Sequence, residues 1–208
     1  MPTLIEWLEA QGDQDRRERF QRLHPCSCRA AGRASRYHMR MRLASFEMIA
    51  GALDSAGVRY LVAGGLAVNA HGVLRFTRDL GVVVELVSEN IARAFAALEG
   101  LGYRPSVPIT AAEFADRAQR QRWIDEKGMQ VLQFWSDAHR ETPIDMFVRE
   151  PFPFDEEYER ALLKPLHGAI PVRFVSLGTL IEMKRQAGRP EDLADIEQLS
   201  KRANETPE

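Results

Sequence analysis

The fold of this chain is decided by the stretch Tyr60-Leu-Val-Ala-Gly-Gly-Leu-Ala-Val-Asn-Ala-His-Gly72 and by Arg75-Phe-Thr-Arg-Asp-Leu-Gly-Val-Val-Val84, which follows it. The short apolar run over 59–63 and the β-branched run over 80–86 predict two buried strands, because continuous apolar runs of this length are typical of strands covered on both faces. Between them, Gly64 and Gly65 open a short predicted helix. Because glycine has no Cβ atom, the backbone at this turn can approach a ligand closely.

Two aspartates each lie in an otherwise apolar strand. Asp79 heads the second strand, and Asp145 lies in Pro143-Ile-Asp-Met-Phe147. A buried carboxylate is costly unless it is paired, so two interpretations are open. In the first, the two aspartates bind one divalent cation such as Mg²⁺, which favours hard oxygen ligands. In the second, each aspartate pairs with a nearby arginine. The arginines within reach are Arg75, Arg78 and Arg149.

The remaining pattern places strands between helices without strict alternation. Helices are predicted from near residue 43 to Gly57, over 65–70, over 88–98 and over 155–163, and further strands over 129–135, 144–148 and 170–175. The polar segment between the strands at 129–135 and 144–148 suits an antiparallel pair. The chain ends in two predicted helices, 177–187 and 190–203, split by Gly188-Arg-Pro190. The fold class predicted is α/β (α+β), a small mixed β-sheet flanked by helices with a C-terminal helical pair.

The N-terminal part differs from the rest. From Arg22 to Arg42 there are six arginines and no acidic residue, with scattered apolar residues. We expect residues 1–42 to be disordered or loosely attached, residues 43–176 to form the core, and residues 177–203 to pack on it. Two alternatives stay open for the first segment, an RNA-binding basic tail and an extension upstream of a natural start at Met39 or Met41.

Bulk composition excludes several classes of protein. The 208 residues are 45% hydrophobic and 28% charged with a net charge of -2, so nothing attracts the whole chain to nucleic acid or to an anionic membrane. No apolar run approaches the roughly 20 residues that span a bilayer, and no secretory signal is recognisable. Two cysteines are too few for a disulfide framework. The expected location is the cytoplasm, with no membrane partner.

Taken in order, Gly64-Gly65, Arg75, Thr77, Asp79 and Asp145 resemble the nucleotidyltransferase fold of the DNA polymerase beta superfamily. In particular they resemble small bacterial nucleotidyltransferase-like proteins, including those of abortive-infection and toxin–antitoxin systems. The tail segments 175–184 and 188–195 are also similar to the end of these proteins. The resemblance covers roughly residues 43–202 in order and spacing.

This resemblance implies a metal-dependent transfer of a nucleotide from an NTP to an acceptor, which is RNA, a protein or a small molecule. Asp79 and Asp145 would be the catalytic carboxylates and the ligands of Mg²⁺ or Mn²⁺. The nucleotide-binding residues it implies are Gly64, Gly65, Arg75, Thr77 and Lys184, with the two glycines cradling phosphates. For Lys184 the alternative is a pairing with Asp192 or Glu182.

One position departs from the family pattern. The family's Asp-x-Asp is here Asp79-Leu80-Gly81, and Gly81 shares its strand face with Asp79 but supplies no ligand. Glu85 has the right parity, yet at ~3.3 Å per residue it lies about 13 Å from Gly81. We therefore expect a metal bound weakly, if at all, and impaired transfer. The alternative function is a catalytically inactive nucleotide- or protein-binding module, such as a toxin–antitoxin component with a partner protein.

Overall fold

The computed structural model describes residues 43–166 and 170–205, so the predicted N-terminal extension lies outside the described residues. Within these ranges the helices are α1 (Leu43–Ser55), α2 (Gly64–Ala70), α3 (Ser88–Gly100), α4 (Ala111–Ala115), α5 (Arg117–Lys127), α6 (Phe154–Arg160), α7 (Leu177–Ala187) and α8 (Pro190–Glu205). The strands are β1 (Tyr60–Ala63), β2 (Leu80–Val84), β3 (Arg104–Pro105), β4 (Val131–Trp135), β5 (Ile144–Phe147), β6 (Leu162–Leu166) and β7 (Ile170–Phe174). None of these helices has the length and apolar character needed to cross a bilayer.

The strands form one seven-stranded sheet in the order β3-β4-β5-β2-β1-β7-β6. The pairs β1–β7 and β2–β5 are parallel, and the other four pairs are antiparallel. The predicted mixed sheet and the predicted antiparallel pairing of β4 with β5 are therefore confirmed. Because β2 and β1 are central, their side chains are buried along their whole length, as their continuous apolar sequences predict.

Helix α3 covers one face of the sheet through its aromatic residue. The ring of Phe95 lies 5.5 Å from that of Phe114 on α4 and 5.1 Å from that of Phe134 on β4. Leu132 and Phe134 point into this core, whereas Gln133 and Trp135, at the alternate positions of β4, are exposed. One face of β4 therefore packs against helices and the other is open to solvent.

The C-terminal helices begin and end where the sequence signals indicate. Gly188, with φ +64°, ends α7 in a left-handed conformation, and Pro190 begins α8. The fully buried Glu157 fastens α6 to the start of α7. Its Oε2 accepts a hydrogen bond from Oγ1 of Thr179 at 2.6 Å, and its Oε1 accepts one from the backbone N–H of Ser176.

Three sequence expectations differ from the structure. The helix predicted over 155–163 ends at Arg160, and the following residues form the edge strand β6, where Pro165 is tolerated because an edge position needs no donor there. Sequence patterns also gave no element between 104 and 127, although Thr110 and Glu113 form a capping box at α4. The apolar run over 129–135 also predicts that the aromatic side chain of Trp135 fills the core, but Trp135 is 44% exposed.

Candidate active site

Four register partners form a row across the middle of the sheet. Ala63 on β1 pairs with Gly81 on β2, Gly81 with Asp145 on β5, and Asp145 with Gln133 on β4. Side chains at directly paired positions share one face of a sheet. Asp79, two residues before Gly81, lies near enough for its charge to act on Asp145. The structure thus brings the two predicted aspartates together beside the open face of β4.

The environment of Asp145 disfavours its negative charge. Burial raises the pKa of its carboxyl group, and the carboxylate of Asp79 raises it further. Two groups act in the opposite direction, the guanidinium of Arg189 and the side-chain amide of Gln133, which donates from Nε2 to Oδ1 at 3.2 Å. Burial is the larger of the two raising effects, so the carboxylate of Asp145 is poorly solvated and has a second carboxylate nearby, an environment that favours a bound cation or a proton.

The two glycines of the β1–α2 turn are needed for different reasons. Gly64 has φ +69°, and a Cβ added there would meet nothing within 4 Å. At Gly65, a Cβ would lie 2.5 Å from Oγ1 of Thr77 and 2.8 Å from its Cβ. Thr77 is buried, and its hydroxyl donates to the backbone oxygen of Asp79 at 3.2 Å. Gly65 therefore provides the space for the residue that fixes the start of the Asp79 segment.

We predict that Gly65→Ala lowers the free energy of unfolding by about 1–3 kcal/mol, because the new methyl group overlaps Thr77 in a packed site. The control is Gly178→Ala, an exposed helical position in α7 with open space around the new atom. It is expected to be neutral or to stabilise by up to about 1 kcal/mol. Urea unfolding of both variants measures this, and equal stability of the two would show that Thr77 moves aside freely.

The predicted cations Arg75 and Lys184 belong to one buried ion-pair network. Nζ of Lys184 lies 2.9 Å from Oδ1 of Asp192 and 2.6 Å from Oδ2 of Asp195, and Asp195 also pairs with Arg75. Arg189 adds a contact of 3.0 Å from its Nε to Asp192. The pairing of Lys184 with Asp192, left open by the sequence, is thus observed. The network joins the C-terminal helices to the loop that carries Arg75, Thr77 and Asp79.

Sequence reasoning missed Gln133 and Arg189 as neighbours of Asp145. Gln133 is a polar residue at an alternate position of an otherwise apolar strand, a pattern that indicates an exposed face but not the partner across it. Arg189 stands in the turn between α7 and α8, far along the chain from Asp145. Only the tertiary structure places these side chains around one carboxylate.

The donor set suits one divalent cation. In residues 43–166 and 170–205, no group of three or more acidic, histidine or cysteine side chains is arranged to hold a metal. Mg²⁺ is commonly bound by one or two carboxylates, with waters and substrate phosphates completing its shell. Asp79 and Asp145 fit that requirement, since the two carboxylates lie near enough to interact and burial disfavours the charge of Asp145. A second metal would need a carboxylate that Gly81 does not supply.

No model of a known protein family and no curated protein matches this chain. The structure is similar to that of the lincosamide antibiotic adenylyltransferase LnuA bound to lincomycin, with 12% identity and a TM-score of 0.53 over 77% of this chain and 98% of that chain. ANT(2″)-Ia in complex with adenylyl-2″-tobramycin gives 16% identity and a TM-score of 0.49, over 78% and 88% of the two chains. At such identities the similarity to LnuA concerns the fold alone. The mixed sheet and its flanking helices are a nucleotidyltransferase fold.

Proposed function

We propose that this protein transfers a nucleotide from an NTP to an acceptor hydroxyl group at the cleft that contains Asp79 and Asp145. The observation that carries the proposal is the convergence of these two carboxylates on a nucleotidyltransferase fold, at a position where burial disfavours the charge of Asp145. LnuA is an adenylyltransferase, which supports the same class of reaction for this chain. The acceptor is RNA, a protein or a small molecule.

The carboxylates and the glycine turn have separate roles in this proposal. Asp79 and Asp145 would hold Mg²⁺ or Mn²⁺, which supplies positive charge to the phosphates of the nucleotide. Gln133 orients Asp145, and Thr77 fixes the backbone of Asp79. The open space beside Gly64, above the row that contains Gly81, is where we place the phosphates.

Arg75 is the cation of the ion-pair network that lies by the glycine turn, where its Nε would be 3.5 Å from a Cβ added at Gly65. Arg75 keeps 27% of its side chain exposed while it pairs with Asp195, so its guanidinium can also contact a phosphate oxygen. Lys184 is almost fully buried between Asp192 and Asp195. We therefore propose that Arg75 contacts the nucleotide and that Lys184 contributes by neutralising Asp195 and fixing Arg75.

The glycine at position 81 lowers the rate of nucleotide transfer that we expect. A side chain at position 81 would begin 3.3 Å from the backbone oxygen of Ala63 and 3.8 Å from the nitrogen of Gly64, at the glycine turn itself. Across the sheet, a carboxylate there would stand between the end of β1 and Asp145. Its absence removes a metal ligand, and a loss of about 3 kcal/mol of transition-state stabilisation corresponds to a hundredfold or more in rate. We expect slow transfer by the natural chain.

We predict that Gly81→Asp raises transfer at least tenfold, since it adds a carboxylate to the face that already presents Asp79 and Asp145. The measurement follows labelled nucleotide from each of the four NTPs onto RNA, protein and small-molecule acceptors, with Mg²⁺ or Mn²⁺. The natural chain is run beside the variant. Gly100→Asp, which places the same new charge in open space at the end of α3, is the matched control and should change nothing.

The alternative is a catalytically inactive module that binds a nucleotide or a protein, such as a toxin–antitoxin component. The specific observation in its favour is the glycine at position 81. This alternative predicts that the natural chain and Gly81→Asp both bind NTP in the presence of magnesium and that neither transfers a nucleotide. That result, in protein shown to be folded, would contradict the transfer proposal and favour the module.

A further inference from the structure

Trp135 is a large aromatic residue left exposed on a strand whose other face is packed. It is 44% exposed, while its neighbour Phe134 is fully buried against Phe95 of α3. Trp135 and Gln133 are two residues apart on β4 and so share one face. Gln133 donates a hydrogen bond to Asp145, which places the indole on the face that carries the proposed catalytic carboxylates.

The register of the strands fixes where the indole lies relative to Asp79. Gln133 pairs with Asp145, and β4 runs antiparallel to β5, so Trp135 is level with Pro143. Position 143 is in turn level with Asp79, because the backbone N–H of Leu80 donates to the carbonyl oxygen of Pro143 at 2.9 Å. Trp135 and Asp79 therefore stand at the same end of the sheet, about two strand spacings or ~10 Å apart.

The residues on the two sides of Asp79 at this end of the sheet differ. On the side of β1 lies the turn of Gly64, with open space and the partly exposed Arg75 nearby. On the side of β4 lie Trp135 and its register partner Arg104, which is exposed at the edge strand β3. Under the proposed function, a nucleotide with its phosphates at Gly64 and Asp79 would have its nucleoside on the open face of β4, where Trp135 is exposed.

We propose that the indole of Trp135 stacks against the base of the NTP. This inference rests on the proposed function, whose phosphate position sets the direction of the nucleoside. Stacking on an aromatic side chain tolerates every base, because each base has a π-face. Loss of such a stack corresponds to about tenfold to hundredfold weaker binding.

The test measures equilibrium binding to the full chain in Mg²⁺ by calorimetry, with ATP, GTP, CTP, UTP and ribose 5′-triphosphate, which lacks a base. Trp135→Ala is expected to weaken binding of all four NTPs at least tenfold and to leave ribose 5′-triphosphate unchanged. Trp135→Phe should keep most of the affinity. Leu163→Ala removes an exposed apolar side chain from β6, at the other edge of the sheet, and serves as the matched control.

The outcomes separate this inference from the function on which it rests. Equal NTP affinity of the natural chain and Trp135→Ala would overturn base stacking, and the transfer proposal would stand. Equal affinity of the natural chain for ATP and ribose 5′-triphosphate would overturn it in the same way. Absence of any triphosphate binding by the natural chain and by Gly81→Asp would overturn both.

Discussion

Replacing Lys184 with methionine is expected to lower the free energy of unfolding by about 3–5 kcal/mol, the usual cost of removing one partner from a buried ion pair. Lys184 is 6% exposed and contacts both Asp192 and Asp195, which are themselves buried. Methionine conserves the volume of the side chain but removes the cation that the two carboxylates share, so that Asp195 keeps only its half-buried partner Arg75 and Asp192 its exposed partner Arg189 among the ion pairs described above. Chemical denaturation at neutral pH measures the loss.

The matched control is Arg185→Met, one residue further along α7. Arg185 is well exposed and pairs with Glu182 in a surface contact, which is worth about 0–1 kcal/mol. A loss as small for Lys184→Met as for Arg185→Met would show that Asp192 and Asp195 find other partners or water. Lys184→Met should also weaken the anchoring of Arg75, because Arg75 shares Asp195 with Lys184.

The ion-pair network carries a pH dependence of known sign. Burial pushes the pKa of Asp192 up, but the hydrogen bond and charge of Lys184 and the charge of Arg189 outweigh burial, and the net pKa lies below the usual value. A lowered carboxyl pKa stabilises the fold above the unfolded value of about 3.9, and this contribution is lost as the pH falls through the folded pKa. The difference between the natural chain and Lys184→Met should therefore shrink in acid.

Asp145→Asn is expected to reduce nucleotide transfer a hundredfold or more and, at the same time, to raise thermal stability. A loss of that size corresponds to about 3 kcal/mol of transition-state stabilisation. The gain in stability follows because asparagine removes a charge that burial and Asp79 both disfavour, and it keeps the shape of the side chain. The same transfer assay, run in the Gly81→Asp background, and a thermal melt measure the two effects.

The stability gain should depend on pH in the opposite sense to that of Lys184. Because the folded pKa of Asp145 is raised, its ionised form weakens the fold above that pKa, and the penalty disappears as the pH falls towards the unfolded value of about 3.9. The gain from asparagine is therefore largest at neutral pH. Asp137→Asn, an exposed aspartate paired with Arg140, is the control and should leave transfer and stability unchanged. A destabilised Asp145→Asn would instead assign this residue a structural role.

Much of the fold was predictable because its signals are local. The continuous apolar run of β2 marked a central strand, and Gly188 with Pro190 marked the break between the last two helices. Strand β6 was missed because Leu162 and Leu163 continue the apolar spacing of α6, and only the pairing with β7 makes them a strand. The edge strand β3 has two residues, too few for any periodicity.

Two aspartates of the candidate site could be singled out in the sequence, but the contacts around them could not. Asp79 and Asp145 stood out because a carboxylate is unusual in an apolar strand. The second partner of Lys184, Asp195, and the neighbour Gln133 depend on helix docking and strand register, which spacing along the chain does not reveal. Trp135 illustrates the same limit, since neighbouring aromatic residues of a strand look alike in sequence while one faces the core and the other faces solvent.

The contact between Arg75 and Asp195 also implies an order of folding steps while the chain is being synthesised. The two residues are 120 positions apart, and Asp195 is the carboxylate that joins the loop of Asp79 to the last helix. A chain made from its N-terminus can pair β1, β2, β4 and β5 before α8 exists. The central sheet can therefore form early, whereas the Asp79 loop acquires its final anchor only after residue 195 has been synthesised. An incomplete chain would therefore contain the central strands while the Asp79 loop still lacked its contact with α8.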